Sequence, residues 1–454
     1  VIPEIEGGAG ETIDLLASYN AEVFAVEGVT PLTGEVIVAY TSSGRAAEQR
    51  QSVSYDLHDK TALIWNDDRK VAAFITPSDS ALRNYSSHIR QVFKDETVAG
   101  FSGNLQTAMQ IYKALEVLGC IYQVDPRSPF AEVQSDPVTV DSISLPRDTL
   151  KRITGDCDDL TVLYCSLLET VGIESGFITV PGHIYAIFNT GVSPRDYEKV
   201  HPDRDMSINI DGELWVPVEI TMIGRDGFMQ AWRTGMDQYR LYDEDPSQRG
   251  VYLTAEAQKD YRAVGLRETD LGLQYGDTEK LARVYEEDMT TLINISLQPL
   301  MEAARKSMDK KEYNQLGIKQ VKLKLYDEAE SSFRRALDID PHYLSAGVNL
   351  SNIQYIRGRY DSAADGFSGA LRVLESRGLN DSSIALQVLL NISKAMYAME
   401  EFDEANTYYR RAEAIDDDQV QEYAYLAQVS VDSELTARAS EVRGDEDMLF
   451  IEGE

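Results

Sequence analysis

The sequence predicts a multidomain α+β protein. It has a β-sandwich-like N-terminal region, a middle built from one helix and the strands after it, and an all-α C-terminal superhelix. Three observations carry this. Four runs rich in Val, Ile, Tyr and Phe lie between residues 35 and 76, separated by polar clusters. The stretch GDCDDLTVLYCSLLETVGI (155–173) has helical periodicity, and strand-like segments follow it. From residue 312 the chain repeats itself. These features divide it into 1–98, 99–250, a helical connector over 251–311, and repeats with a C-terminal capping helix over 312–446.

The expected strands of the first region are EVIVAYTS (35–42), RQSVSYDL (50–57), TALIWN (61–66) and KVAAFIT (70–76). Met109, Tyr112, Leu115 and Leu118 recur at helical spacing in 104–118, and SLPRDTL (144–150) reads as a turn or short helix. In the next helix Leu160, Leu163, Tyr164, Leu167, Leu168 and Val171 share one face. Asp156 is its N-cap, Gly172 its stop, and Cys157 lies in the first turn on the inward face. GFITVPGHIYAIF (176–188) is strand-like and broken at Pro181-Gly182. DGELWVPVEIT (211–221) is a further strand, in which Pro217 implies an edge or a bulge.

The repeats are defined by Ala329, Phe333 and Ala336, which return 34 residues later as Ala363, Phe367 and Ala370. They return again as Ala405, Tyr409 and Ala412 after an insertion around 375–383. A 34-residue period with small-aromatic-small spacing is the tetratricopeptide signature, and a helix over 419–430 caps the stack. Such a stack offers a concave groove to a protein partner.

Composition narrows the function. The 454 residues are 43% hydrophobic and 26% charged, which is globular rather than disordered. A formal charge of −33, from 76 acidic against 43 basic residues, repels nucleic acid and anionic membrane. No apolar run approaches the ~18 residues a membrane span needs. Three cysteines, Cys120, Cys157 and Cys165, do not make a disulfide framework. A start at Val1 rather than Met reads as a processed or trimmed product, and with the β-rich front it leans to an exported bacterial protein.

Cys157, His183 and Glu219 follow one another as helix start, next strand and the strand after. A thiol nucleophile needs that set: a sulfur, a base, and a group to orient the base. The acids beside Cys157 oppose thiolate formation, so His183 must supply the positive charge. Asp158 and Asp159 then suit the helix dipole, with side chains free to face solvent. The bland alternative is that Cys157 only packs, as Cys165 and Cys120 are read to do. His201 is a rival base but sits in a polar excursion read as surface. Trp215 could wall a cleft and is read as core.

GDCDDLTVLYCSLLETVGI, VPGHIYAIF and ELWVPVEIT together resemble the transglutaminase-like superfamily, over roughly residues 100–245. The resemblance implies a papain-like fold, with Cys157 as nucleophile and His183 as base. Glu219 falls where the family usually carries Asp. The whole arrangement also resembles uncharacterised bacterial proteins of spirochaete type. Some bacterial members bind Ca²⁺ beside the nucleophile, and Asp156, Asp158 and Asp159 offer hard oxygen ligands for it. Without EF-hand spacing, helix capping is the preferred reading of the three acids, and no other cofactor is expected. The resemblance implies a thiol acyl-transfer enzyme acting on a protein or peptide, either a peptidase or amidase or a transglutaminase, with hydrolysis the favoured outcome. The rival is a retired catalytic domain in a repeat scaffold.

Overall fold

The computed structural model describes residues 18–26, 28–42, 44–94, 96–124, 140–268, 271–427 and 448–453. It is a mixed helix-and-strand chain with a helical C-terminal stretch.

The front is a single hairpin, β1 (Val29–Ser42) and β2 (Arg45–His58), paired antiparallel along its whole length. The expected sandwich is not formed among the described residues. β2 reads RAAEQRQSVSYDLH and is exposed almost throughout, so it has no apolar face to bury against a second sheet. β3 (Ala62–Ile64) follows. KVAAFIT, expected as a strand, is a 3-10 turn over Asp68–Phe74, begun by the Asp67 carboxylate on the Arg69 N–H. Then comes α1 (Ser80–Val92), capped by Asp79, with Leu82, Tyr85 and Ile89 buried at helical spacing.

α2 (Gly103–Leu118) starts at the Ser102 hydroxyl and stops at Gly119, whose φ of 95° favours glycine. Two short strands follow, β4 (Ile121–Tyr122) and β5 (Val140–Ser142). After them come α3 (Pro146–Arg152) and β6 (Thr154–Gly155). β4 runs parallel to β6 and β5 pairs with β3.

α4 (Cys157–Thr170) is buried along most of its length. It packs on β7 (Ser175–Val180) and β8 (His183–Asn189), which turn at Pro181-Gly182 into an antiparallel hairpin. β9 (Ile208–Ile210) and β10 (Glu213–Val218) extend the sheet. α5 (Phe228–Leu241) packs on β10. β11 (Gly250–Leu253) completes an antiparallel sheet of order β11-β7-β8-β10-β9. Pro217 faces Ile187 of β8 and lies beyond the last residue of β10 that β9 pairs, so the strand is locally an edge there.

The region expected as a helical connector therefore begins as the outer strand of this sheet. It continues through α6 (Thr254–Asp260) to α7 (Thr278–Ser307). One hydrophobic core runs from Leu63 through Phe93, Cys157 and Trp232 to Tyr285, Leu292 and Leu323. The boundaries expected at 98 and 250 do not divide it.

Helical hairpins follow: α8 (Lys310–Lys322) with α9 (Tyr326–Ile339), α10 (Leu344–Ile356) with α11 (Tyr360–Ser376), and α12 (Ser383–Ala398) with α13 (Phe402–Glu413). All nine small-aromatic-small positions are buried. The expected capping helix is a short α14 (Asp417–Val420) and a 3-10 turn over Gln421–Ala427; residues 428–430 lie outside the described residues. No helix among the described residues is long and apolar enough to cross a membrane.

Candidate active site

Cys157 opens α4 because Asp156 stops the preceding chain: its extended backbone and its carboxylate, 3.3 Å from the Asp159 N–H, cap the helix. α4 lies across β7 and β8, which carries the thiol to the head of β8. The Ile184 N–H points at the Cys157 sulfur, one residue past His183. His183 Nε2 is 2.6 Å from Glu219 Oε2. The other Glu219 oxygen, Oε1, accepts the Thr221 N–H at 3.1 Å and the Thr221 hydroxyl at 2.5 Å. The ring of Tyr185 stacks on the imidazole, centroids 5.9 Å apart.

The structure thus joins His183 to Glu219 and seats Cys157 beside the strand that carries His183. Among the described residues no hydrogen bond joins Cys157 to His183. Resting catalytic contacts are often loose before substrate binds. Burial works to raise the Glu219 pKa, but the bond and charge of His183 and the two Thr221 donors outweigh it. The carboxyl is held below its ordinary value. An ionised Glu219 accepts a hydrogen bond from Nε2–H, which leaves the lone pair of a neutral ring on Nδ1.

The thiol is pushed the other way. Burial first, then Asp158 and Asp156, raise the Cys157 pKa well above its ordinary value. Asp158 and Asp159, expected to face solvent, are 1% and 8% exposed. The Ser144 N–H bonds Asp159 Oδ1 at 2.6 Å, and Arg152 lies 3.6 Å from its other oxygen. Asp158 is raised well above its usual range by burial and by Asp156, and Asp159 to about 6 by burial and Asp156. These three carboxylates bring ligand oxygens within 4.8 Å of one another. Hard oxygens so grouped suit Ca²⁺, and these are the residues that would hold it.

Sequence reasoning missed Tyr122. Pairing of β4 with β6 sets it opposite Gly155, where partial burial first, then Cys157, Asp156 and Glu219, raise the pKa of its hydroxyl. Only the pairing of distant strands puts it there. His201 is not part of the site: half-buried rather than superficial, it stacks edge-on to Trp232 and its Nδ1 accepts the Asp203 N–H at 3.0 Å. Trp215 is in the core. Cys120 and Cys165 are buried, with the Cys120 thiol pushed up to about 12.

No family model matches the chain, and no curated protein matches it. Among solved structures, MamA 41-end from Desulfovibrio magneticus RS-1 matches at 20% identity and a TM-score of 0.27, covering 37% of this chain and 91% of that one.

Proposed function

We propose that α4 and the five-stranded sheet it packs on form a transglutaminase-like unit of papain-like fold that performs thiol-dependent acyl transfer, and that the hairpins after 312 form a tetratricopeptide superhelix that docks a protein partner. The observation that carries the catalytic reading is the 2.6 Å His183–Glu219 bond beside a cysteine at a helix start. Cys157 gives its proton to His183 Nδ1 as the sulfur attacks an amide carbonyl carbon. The imidazolium, held by Glu219, returns that proton to the leaving amine as the C–N bond breaks, leaving a thioester. Water then attacks the thioester, and hydrolysis completes a peptidase or amidase cycle; an amine in its place would make a transglutaminase. The Cys157 N–H is the candidate oxyanion donor.

The raised Cys157 thiol favours a second reading, in which the unit has retired from catalysis and serves binding. Two measurements separate them. The first is alkylation of Cys157 against pH, read by peptide mass spectrometry in the parent and in His183→Ala, with Cys120 and Cys165 as buried controls. The second is acetylation of Cys157 by p-nitrophenyl acetate. A working pair labels rapidly well below pH 8.5, slows at least about tenfold in the mutant, and forms the acetyl adduct only with His183 present. An ordinary profile in both proteins, with no adduct, overturns the enzyme reading.

A further inference from the structure

The first helices of the three hairpins each present asparagine to one groove, and all four side chains, Asn314, Asn349, Asn352 and Asn391, are fully buried. What covers them is a segment of the same chain, residues 448–452. Asn349 takes both polar groups of Ile451: its Oδ1 accepts the Ile451 N–H at 2.8 Å and its Nδ2 donates to the Ile451 carbonyl at 2.9 Å. Asn391 does the same to Leu449, at 3.3 and 3.1 Å. Asn314 and Asn352 each add a donor to those carbonyls, at 2.9 Å. The carboxamides are also linked in pairs, Asn349 to Asn314 and Asn391 to Asn352, both at 2.9 Å.

The pattern is that of strand pairing. In an extended chain alternate residues turn their N–H and C=O to the same side, and 449 and 451 are alternate. Two matched asparagine pairs therefore read backbone rather than side-chain identity. Apolar contact adds to it: Met448 and Ile451 are 5% and 3% exposed, and the Phe450 ring stacks on Phe333 with centroids 6.5 Å apart. Buried carboxamides without partners are costly, so this groove is built for an extended occupant.

We infer that the hairpin groove is a strand-reading site closed by the chain's own Met448–Glu452, and that a protein partner enters by an extended apolar segment exchanged for that tail. This deepens the docking role proposed above and is independent of the thiol chemistry.

The test uses a fluorescein-labelled peptide of residues 446–454 (EDMLFIEGE) and fluorescence polarisation. It should bind the chain ending at 447 at least tenfold more tightly than the full chain. Asn349→Ala with Asn391→Ala in the shortened chain should remove that binding, and so should N-methylation of the peptide at Ile451, which keeps the side chain and deletes the N–H. Ile451→Asp in the full chain opens the groove by a second route, should shortening impair folding. It should raise peptide binding and amide exchange in α8, α10 and α12. Equal binding to full and shortened chains, or none to the shortened chain and to Ile451→Asp alike, overturns the inference. Sedimentation showing dimers joined through exchanged tails overturns the assignment of the tail to its own groove. Acetylation of Cys157, followed in parallel, reports on the catalytic reading alone.

Discussion

At the residue scale, the acids around Cys157 decide the electrostatics of the site. The periodicity of α4 made Cys157 legible as an inward residue, and Asp156 legible as its cap. It also left Asp158 and Asp159 facing solvent, which is wrong because β5 and the Ser144 segment, folded back from before α3, lie against that turn. The burial has a pH consequence. Asp159 is raised from 3.8 to about 6, so the folded chain holds this proton more tightly than the unfolded one. Its contribution is harmless below about pH 4, grows steadily unfavourable as pH rises from about 4 to about 6, and is fully present above that. Asp159→Asn should therefore stabilise the protein at pH 8 by an amount on the order of 3 kcal/mol and leave it nearly unchanged at pH 4. Urea unfolding at the two pH values measures this; an equal effect at both would assign the change to packing. Glu219 has the opposite sign: its pKa is lowered, so its stabilising bond to His183 is lost as pH falls through the folded value.

At the element scale, strand chemistry alone misread KVAAFIT. Its apolar residues suit a strand, but Asp67 caps a 3-10 turn there and Val71, Ala72 and Phe74 bury on the main core. Helix α1 carried a legible signal, Asp79 followed by Leu82, Tyr85 and Ile89, which the strand-rich expectation for 1–98 passed over. The hairpins were legible because close helix approach demands small residues at fixed spacing. Gly317 shows how close: a Cβ there would lie 2.5 Å from the Phe333 ring. Gly317→Ala should destabilise the α8–α9 hairpin by about 1–3 kcal/mol through overpacking. Thermal unfolding with amide exchange checks this, and protection should fall first in α8 and α9.

At the scale of the whole molecule, long-range polar staples join parts that sequence reading kept apart. Arg147 of α3 grips the buried Asp79 through two bonds, 2.6 and 2.8 Å, and donates a third to the Arg267 carbonyl at 3.0 Å. Asp79 also caps α1. Residues expected in three separate regions thus meet in one buried contact. Arg147→Met leaves the Asp79 carboxylate buried without its charge partner and should cost about 3–5 kcal/mol. Adding Asp79→Asn should recover part of the loss, because the uncompensated charge is gone. Urea unfolding of both variants checks this, and a double mutant no more stable than the single would place the cost in lost packing.

The sequence by itself determined the local features: the Asp156-capped helix with Cys157 in its first turn, the Pro181-Gly182 break, and a hairpin repeat of 34 residues. Each follows from periodicity, capping or turn chemistry acting over a few residues. The sequence also ordered Cys157, His183 and Glu219 along helix and strands. Tertiary structure decided the 2.6 Å His183–Glu219 bond, the acids turned inward beside the thiol, the single core crossing the expected boundaries, and the tail held by four asparagines. Those depend on segments tens to hundreds of residues apart meeting in space, and no local pattern encodes which surface will cover another.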